Sequence, residues 1–110
     1  MPESTERGAL TEAVFYILLT LIKPTHGYGI MKYVDEISNG RVILGSGTLY
    51  GAINTLLKKK WIEIKKTNSE SKKEYILTPE GMHTLILEMH RLEELVKTGN
   101  EILGGENHEE

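Results

Sequence analysis

Residues 45–66, GSGTLYGAINTLLKKKWIEIKK, hold the densest set of groups able to do chemistry. Ser46, Thr48, Tyr50 and Asn54 carry hydrogen-bonding side chains, and Gly47 and Gly51 are spaced four apart. At about 100° per residue, Gly47, Gly51, Asn54 and Lys58 fall on one side of a helix and Leu49, Ala52, Ile53 and Leu56 on the other. Glycine weakens a helix, so Gly51 on the polar side points to close approach by something opposite. Lys65, Lys66, Lys72 and Lys73 follow on a strand-turn-strand pattern. Amide and hydroxyl groups that can meet base edges, beside lysines that can neutralise phosphates, fit a polyanion surface and double-stranded DNA in particular. Packing at a helix flank is the ordinary alternative for Thr48 and Tyr50, and solvation for the lysines.

Other chemistries find less support. The chain has no cysteine, so disulfides, thiolate metal sites and thiol nucleophiles are excluded. His83 and His90 lie two helical turns apart with no further ligand nearby in sequence. No glycine-rich phosphate loop followed by lysine occurs. The sequence therefore reads as a non-enzyme, with no metal and no cofactor. The 110 residues carry a net charge of −3 that is segregated. Eight Lys and Arg face three acids between Arg41 and Thr78, whereas eight acids face two basic residues from Pro79 onward. The basic middle suits an anionic partner and the acidic tail does not. The first nine residues lack the basic start and apolar run of a signal peptide, and the run Ala13–Leu19 is too short for a membrane span. A cytoplasmic protein without membrane contact is the expectation.

Several elements must position these groups. Residues 1–10 read as a flexible arm. Thr11 caps a helix expected to run to Ile22, where Pro24 stops it; KPTHG is a turn. A second helix is expected over Tyr28–Ile37, ended by Ser38-Asn39-Gly40, with Gly27 and Gly29 permitting a close neighbour. Val42–Leu44 reads as a short strand or an apolar loop. Ser46 is the expected N-cap of the third helix, over 47–59. Trp61–Lys66 and Lys72–Thr78 alternate as a hairpin, with Trp61 the member of unsettled facing. Thr78-Pro79-Glu80 starts a long last helix. Met82, Leu85, Met89, Leu92 and Val96 recur at spacings of 3, 4, 3 and 4, a coiled-coil seam. That seam exceeds what one small domain can cover, and the first helix is apolar on most of its surface. Together they predict a homodimer with Val14, Phe15, Leu18, Met82, Leu85, Met89, Leu92 and Val96 at the interface. Order is expected to end at Gly99 and the GGENHEE tail, with Ile102 and Leu103 adding one last turn.

The fold class is thus mainly α with a small β-hairpin: a winged helix-turn-helix over 11–78, a dimerisation helix over 79–103 and a disordered tail over 104–110. TEAVFYILLTL, KPTHGYGIMKYV, GRVILGSGTLYGAINTLLKKKWIEI and KKEYILTPEG together resemble the PadR family of transcriptional regulators. The resemblance covers nearly the whole chain and corresponds to the short branch with one dimerisation helix. It implies a homodimeric repressor, with Tyr28 and Gly29 in the second helix and Thr48, Leu49 and Tyr50 in the third at the family's motif positions. It implies a last helix packed on the partner's first, and the two-fold symmetry of such a dimer calls for an inverted-repeat operator. A small apolar effector is a further expectation, held between subunits by Phe15, Leu19, Met89 and Leu92; the simpler reading has these residues filling the dimer core. A winged-helix interaction or assembly module without sequence-specific DNA binding is the alternative.

Overall fold

The computed structural model describes residues 9–65 and 73–105. Its order is α1 (Glu12–Thr20), β1 (Thr25–His26), α2 (Gly27–Ile37), α3 (Ser46–Lys58), β2 (Ile62–Lys65), β3 (Glu74–Leu77) and α4 (Pro79–Gly105). The architecture is mainly helical with a small antiparallel sheet, as expected from the sequence.

Thr11 caps α1: its hydroxyl oxygen accepts the Val14 N–H at 3.1 Å. The helix stops at Thr20, two residues short of the expected end. Ile22 N–H and Lys23 N–H turn to the carbonyls three residues back, at 3.3 and 3.4 Å, as the chain tightens before Pro24. Ile17, Leu18 and Leu21 are fully buried. Helix α2 ends as Ser38-Asn39-Gly40 predicts. Asn39 adopts a left-handed φ of 55°, and the N–H groups of Asn39 and Gly40 return to the carbonyls of Glu36 and Asp35.

The first strand is not at Val42–Leu44. That segment is a loop in which Leu44 is buried and Ile43 is 73% exposed. The strand lies instead in the expected turn KPTHG. Thr25 pairs with Tyr75 and His26 with Glu74, giving a three-stranded sheet of order β1-β3-β2. The hairpin register is Ile62 with Leu77, Glu63 with Ile76, Ile64 with Tyr75 and Lys65 with Glu74. Trp61 lies before β2, and Ile62 is buried while Ile64 stays exposed.

Ser46 is not the cap of α3. Gly45 holds that place in an extended conformation with no side-chain cap, and its carbonyl accepts the Leu49 N–H at 2.9 Å. Leu49, Ile53 and Leu56 seat the helix in a core made with Ile30, Val34, Ile62, Tyr75 and Leu85. At its far end Lys60 takes a left-handed φ of 64°, and the Trp61 N–H reaches back to the Leu56 carbonyl at 3.1 Å. That closure turns the chain directly into β2.

Thr78 caps α4, accepting the Gly81 N–H at 3.0 Å while donating to the Lys60 carbonyl at 2.7 Å. The helix continues through Gly99 to Gly105, beyond the expected end. One glycine costs about 1 kcal/mol in a helix interior, too little to end a run of 27 residues. Only Gly81, Leu85 and Glu88 of α4 are buried, and every described residue from Glu93 onward is exposed. No helix among the described residues is long and apolar enough to cross a membrane.

Candidate nucleic-acid interface

The exposed side of α3 is the natural starting point. Ser46, Gly47, Thr48, Gly51, Asn54 and Lys58 are exposed, while Leu49, Ile53 and Leu56 anchor the opposite side. Among the described residues a Cβ built on Gly47 or Gly51 would meet nothing within 4 Å, so packing against them does not require either glycine. With no side chain capping the helix start, the first N–H groups are free to meet an acceptor. An oxyanion is favoured there by the helix dipole.

Tyr50 leaves α3 on the flank that faces α2. Its ring lies across Gly27, close enough that a Cβ on Gly27 would overlap the phenol oxygen. Gly27 is buried under that ring, and Tyr50 remains 44% exposed. Tyr28, the next residue, projects outward at 66% exposure. The first turns of α2 and α3 thus present two phenols beside the polar side of α3. Beneath them Tyr75 is buried, and burial pushes its phenol above the usual range, with Tyr50 adding to the rise.

The hairpin supplies the cations. Lys65 ends β2 opposite Glu74, and Lys73 immediately precedes β3; both are exposed. Lys66 and Lys72 lie outside the described residues. Lys58 is exposed at the end of α3, whereas Lys59 is turned over the Trp61 ring, 5.1 Å from its centroid.

The expected dimer residues divide into two groups. Leu18 and Leu85 are 0% and 3% exposed within the single chain, so the chain's own core already covers them. Val14, Phe15, Met82 and Leu92 are partly covered, and Met89 and Val96 are exposed. Ile86, Leu95, Ile102 and Leu103 add exposed apolar surface to α4. Of the expected effector residues, Leu19 lines a groove with Ile22 and Tyr33, and Leu92 a separate hollow with Val96. Leu19 and Leu92 thus line different hollows.

One ionic arrangement has only a faint sequence signal. Glu88 is 2% exposed; its carboxylate accepts two hydrogen bonds from Arg91, at 2.6 and 2.8 Å, and one from the Leu10 N–H at 3.3 Å. The Arg91 guanidinium holds that carboxyl below its usual range, against the opposing effect of burial. The signal is an acid beside the seam, between Leu85 and Met89, with an arginine three residues on. At the surface, Arg41 pairs with Glu12 at 2.6 Å, tying the loop before α3 to the start of α1.

A transcriptional regulator from Clostridium thermocellum superposes with a TM-score of 0.70 at 25% identity, over 92% of this chain and 96% of that one. A PadR-like transcription factor from Bacteroides fragilis gives 0.67 at 27% identity, over 81% and 87%. Bacillus subtilis PadR in complex with operator DNA gives 0.57 at 26% identity, over 66% of this chain and 44% of that one. Comparison with curated proteins gives no match. The family model described as "Transcriptional regulator PadR-like family" matches residues 15–86, from α1 into α4, and the chain belongs to that family.

Proposed function

We propose that this protein is a homodimeric repressor that binds double-stranded DNA sequence-specifically at an inverted-repeat operator. The observation that carries the reading is the polar side of α3. Gly47, Gly51, Asn54 and Lys58 are exposed together, a Cβ on either glycine would meet no described residue within 4 Å, and Tyr28, Tyr50 and a lysine-bearing hairpin flank them. The likeness to Bacillus subtilis PadR, solved in complex with operator DNA, supports DNA binding.

In this reading residues 11–78 form the DNA-binding unit and 79–103 the dimerisation helix. Helix α3 enters the major groove, where Thr48 and Asn54 meet base edges and the glycines let the backbone approach. Ser46, Tyr28 and Tyr50 contact phosphate or sugar. Lys58, Lys65, Lys66, Lys72 and Lys73 neutralise phosphates. Two-fold symmetry sets half-site centres about 34–36 Å apart. Bound at a promoter, the dimer excludes polymerase sterically. A small apolar compound between the subunits, beside Phe15, Leu19, Met89 and Leu92, relieves repression by preferring an arrangement in which the two α3 helices no longer match the operator.

The test is selection from a random duplex library with the intact protein. An enriched inverted repeat is expected. Asn54→Ala or Thr48→Ala should then reduce discrimination between that site and random DNA. Replacing Lys65 and Lys66 together should weaken both alike and flatten the salt dependence. No enrichment at low salt would sink the reading and leave an interaction module.

A further inference from the structure

Asn39 is the one asparagine of the chain that precedes a glycine. Such a pair is chemically labile. The backbone nitrogen of the following residue can attack the side-chain carbonyl carbon of asparagine, and glycine leaves that nitrogen unshielded by a side chain. Ammonia departs as a five-membered succinimide closes. Water then opens either carbon–nitrogen bond of the ring. One opening leaves an aspartate in the normal main chain, the other an isoaspartate whose main chain is one atom longer. Water enters, ammonia leaves, and nothing is oxidised or reduced.

The fold restrains the first step by geometry and not by cover. Asn39 and Gly40 are both exposed. A Cβ on Gly40 would meet only the Asp35 carboxylate oxygen, at 3.8 Å, among the described residues other than its chain neighbours. The restraint lies in the closure of α2. The Gly40 N–H donates to the Asp35 carbonyl at 2.9 Å and the Asn39 N–H to the Glu36 carbonyl at 3.2 Å. Both residues are left-handed, with φ of 55° at Asn39 and 78° at Gly40.

Ser38 fastens the chain on the far side of the pair. It is 2% exposed. Its carbonyl accepts the Arg41 N–H at 3.0 Å, and its hydroxyl oxygen accepts the Val42 N–H at 3.0 Å. The attacking nitrogen must lose its proton, and that proton lies in the bond to Asp35. Attack therefore requires this end of α2 to open first.

We propose that Asn39 is a deamidation site gated by the closure of α2, protected while the closure holds and exposed each time it opens. The product does not close as the parent does. Its new carboxylate lies at the negative end of α2, close in sequence to Asp35 and Glu36, where that sign of charge is unfavourable. In the isoaspartate the extra main-chain atom also moves the Gly40 N–H off the Asp35 carbonyl. The change is cumulative and falls on the segment that leads into α3. Only an effect on DNA binding would rest on the repressor reading.

The test uses the full-length protein without DNA, so that it stands apart from the fate of that reading. The protein is incubated in mildly alkaline buffer, folded and in guanidinium chloride. Asn39 is followed by the mass gain of the peptide that carries it, with an isoaspartyl methyltransferase reporting isoaspartate. The unfolded chain should convert Asn39 before any other asparagine, and the folded chain should convert it at least about tenfold more slowly. Ser38→Ala removes the tie to Val42 and leaves the Asn39–Gly40 pair intact; it should raise the folded rate about three- to tenfold. Hydrogen exchange of the Gly40 amide in the parent keeps the test decisive if that variant does not fold, and should be slowed at least about tenfold against the unfolded chain. Another asparagine converting first in the unfolded chain, equal rates at Asn39 folded and unfolded, an unchanged rate in folded Ser38→Ala, or a Gly40 amide that exchanges as in the unfolded chain would each overturn the proposal.

Discussion

The carbonyl oxygen of Trp61 lies against the α-carbon of Gly81, so closely that a methyl group there would overlap it. The same oxygen accepts the Thr78 N–H at 3.0 Å. The turn from α3 into β2 is therefore pressed onto the first turn of α4, with main-chain atoms on both sides of this contact. Since the obstructing atom is backbone, it cannot swing aside as a side chain would.

Gly81→Ala should accordingly destabilise the protein by about 1–3 kcal/mol, even after the gain in helix propensity. In a chain of this size each kcal/mol lowers the melting temperature by about 4–8 °C. Thermal unfolding followed by circular dichroism measures it. An unchanged or raised melting temperature would show that the α3–β2 turn can move away from α4.

The contact of Gly27 with Tyr50 resembles that of Gly81 with Trp61 but predicts a different outcome. Here the obstructing group is the end of a half-exposed side chain, which can rotate away. Gly27→Ala should keep the melting temperature close to that of the parent while displacing the Tyr50 phenol. On the repressor reading, operator affinity should fall about tenfold, the loss of roughly one good contact. Fluorescence anisotropy with a labelled operator decides, and an unchanged affinity would remove Tyr50 from the interface.

Glu88 predicts a pH dependence. Arg91 depresses its carboxyl in the folded chain relative to a free carboxylate near about 4.3. Its stabilisation is then fully present above the unfolded value and is lost as pH falls through the lower folded value. Glu88→Gln should destabilise by about 1–3 kcal/mol at neutral pH, because the guanidinium loses its charged acceptor. The difference between variant and parent should shrink as pH is lowered through the acid range. Urea unfolding at a series of pH values tests this, and a difference that stays constant down to the acid limit would contradict it.

How much of this was legible in the sequence follows from how local each determinant is. The Thr11 and Thr78 caps rest on hydrogen bonds three residues away, and the end of α2 on the left-handed tolerance of Asn39 and Gly40, so sequence alone carries them. The exposed side of α3 was readable because helical periodicity sorts it from Leu49, Ile53 and Leu56. The Thr25–His26 strand was not, because two residues become a strand only when β3 lies alongside. Gly45 displaced Ser46 as the cap, since a serine signals a helix start without fixing its residue. Leu18 and Leu85 show a further limit: an apolar stripe says that a face is covered, not whether the chain itself or a second copy covers it. The Gly27–Tyr50 contact joins two helices and has no local signature at all.

Leu18 and Leu85 also determine which substitutions can test the dimer. Changing either would damage the subunit's own core, and loss of the dimer would then be uninformative. Leu95, Val96 and Leu103 are 54%, 62% and 58% exposed and lie on the part of α4 where every described residue is exposed. Leu95→Glu combined with Val96→Glu should leave α1–β3 folded, with the hairpin and α3 unchanged by NMR. If a second copy covers this stretch, two buried and unpaired carboxylates are unaffordable there, and the species at micromolar concentration should shift from dimer to monomer. Sedimentation equilibrium reads the mass directly. Operator binding should weaken far more than the affinity of a single half-site, because the second α3 is no longer held in register with the first. A double variant that remains dimeric would place the interface elsewhere on the chain, and a parent protein that is monomeric and folded at the same concentration would sink the dimer outright.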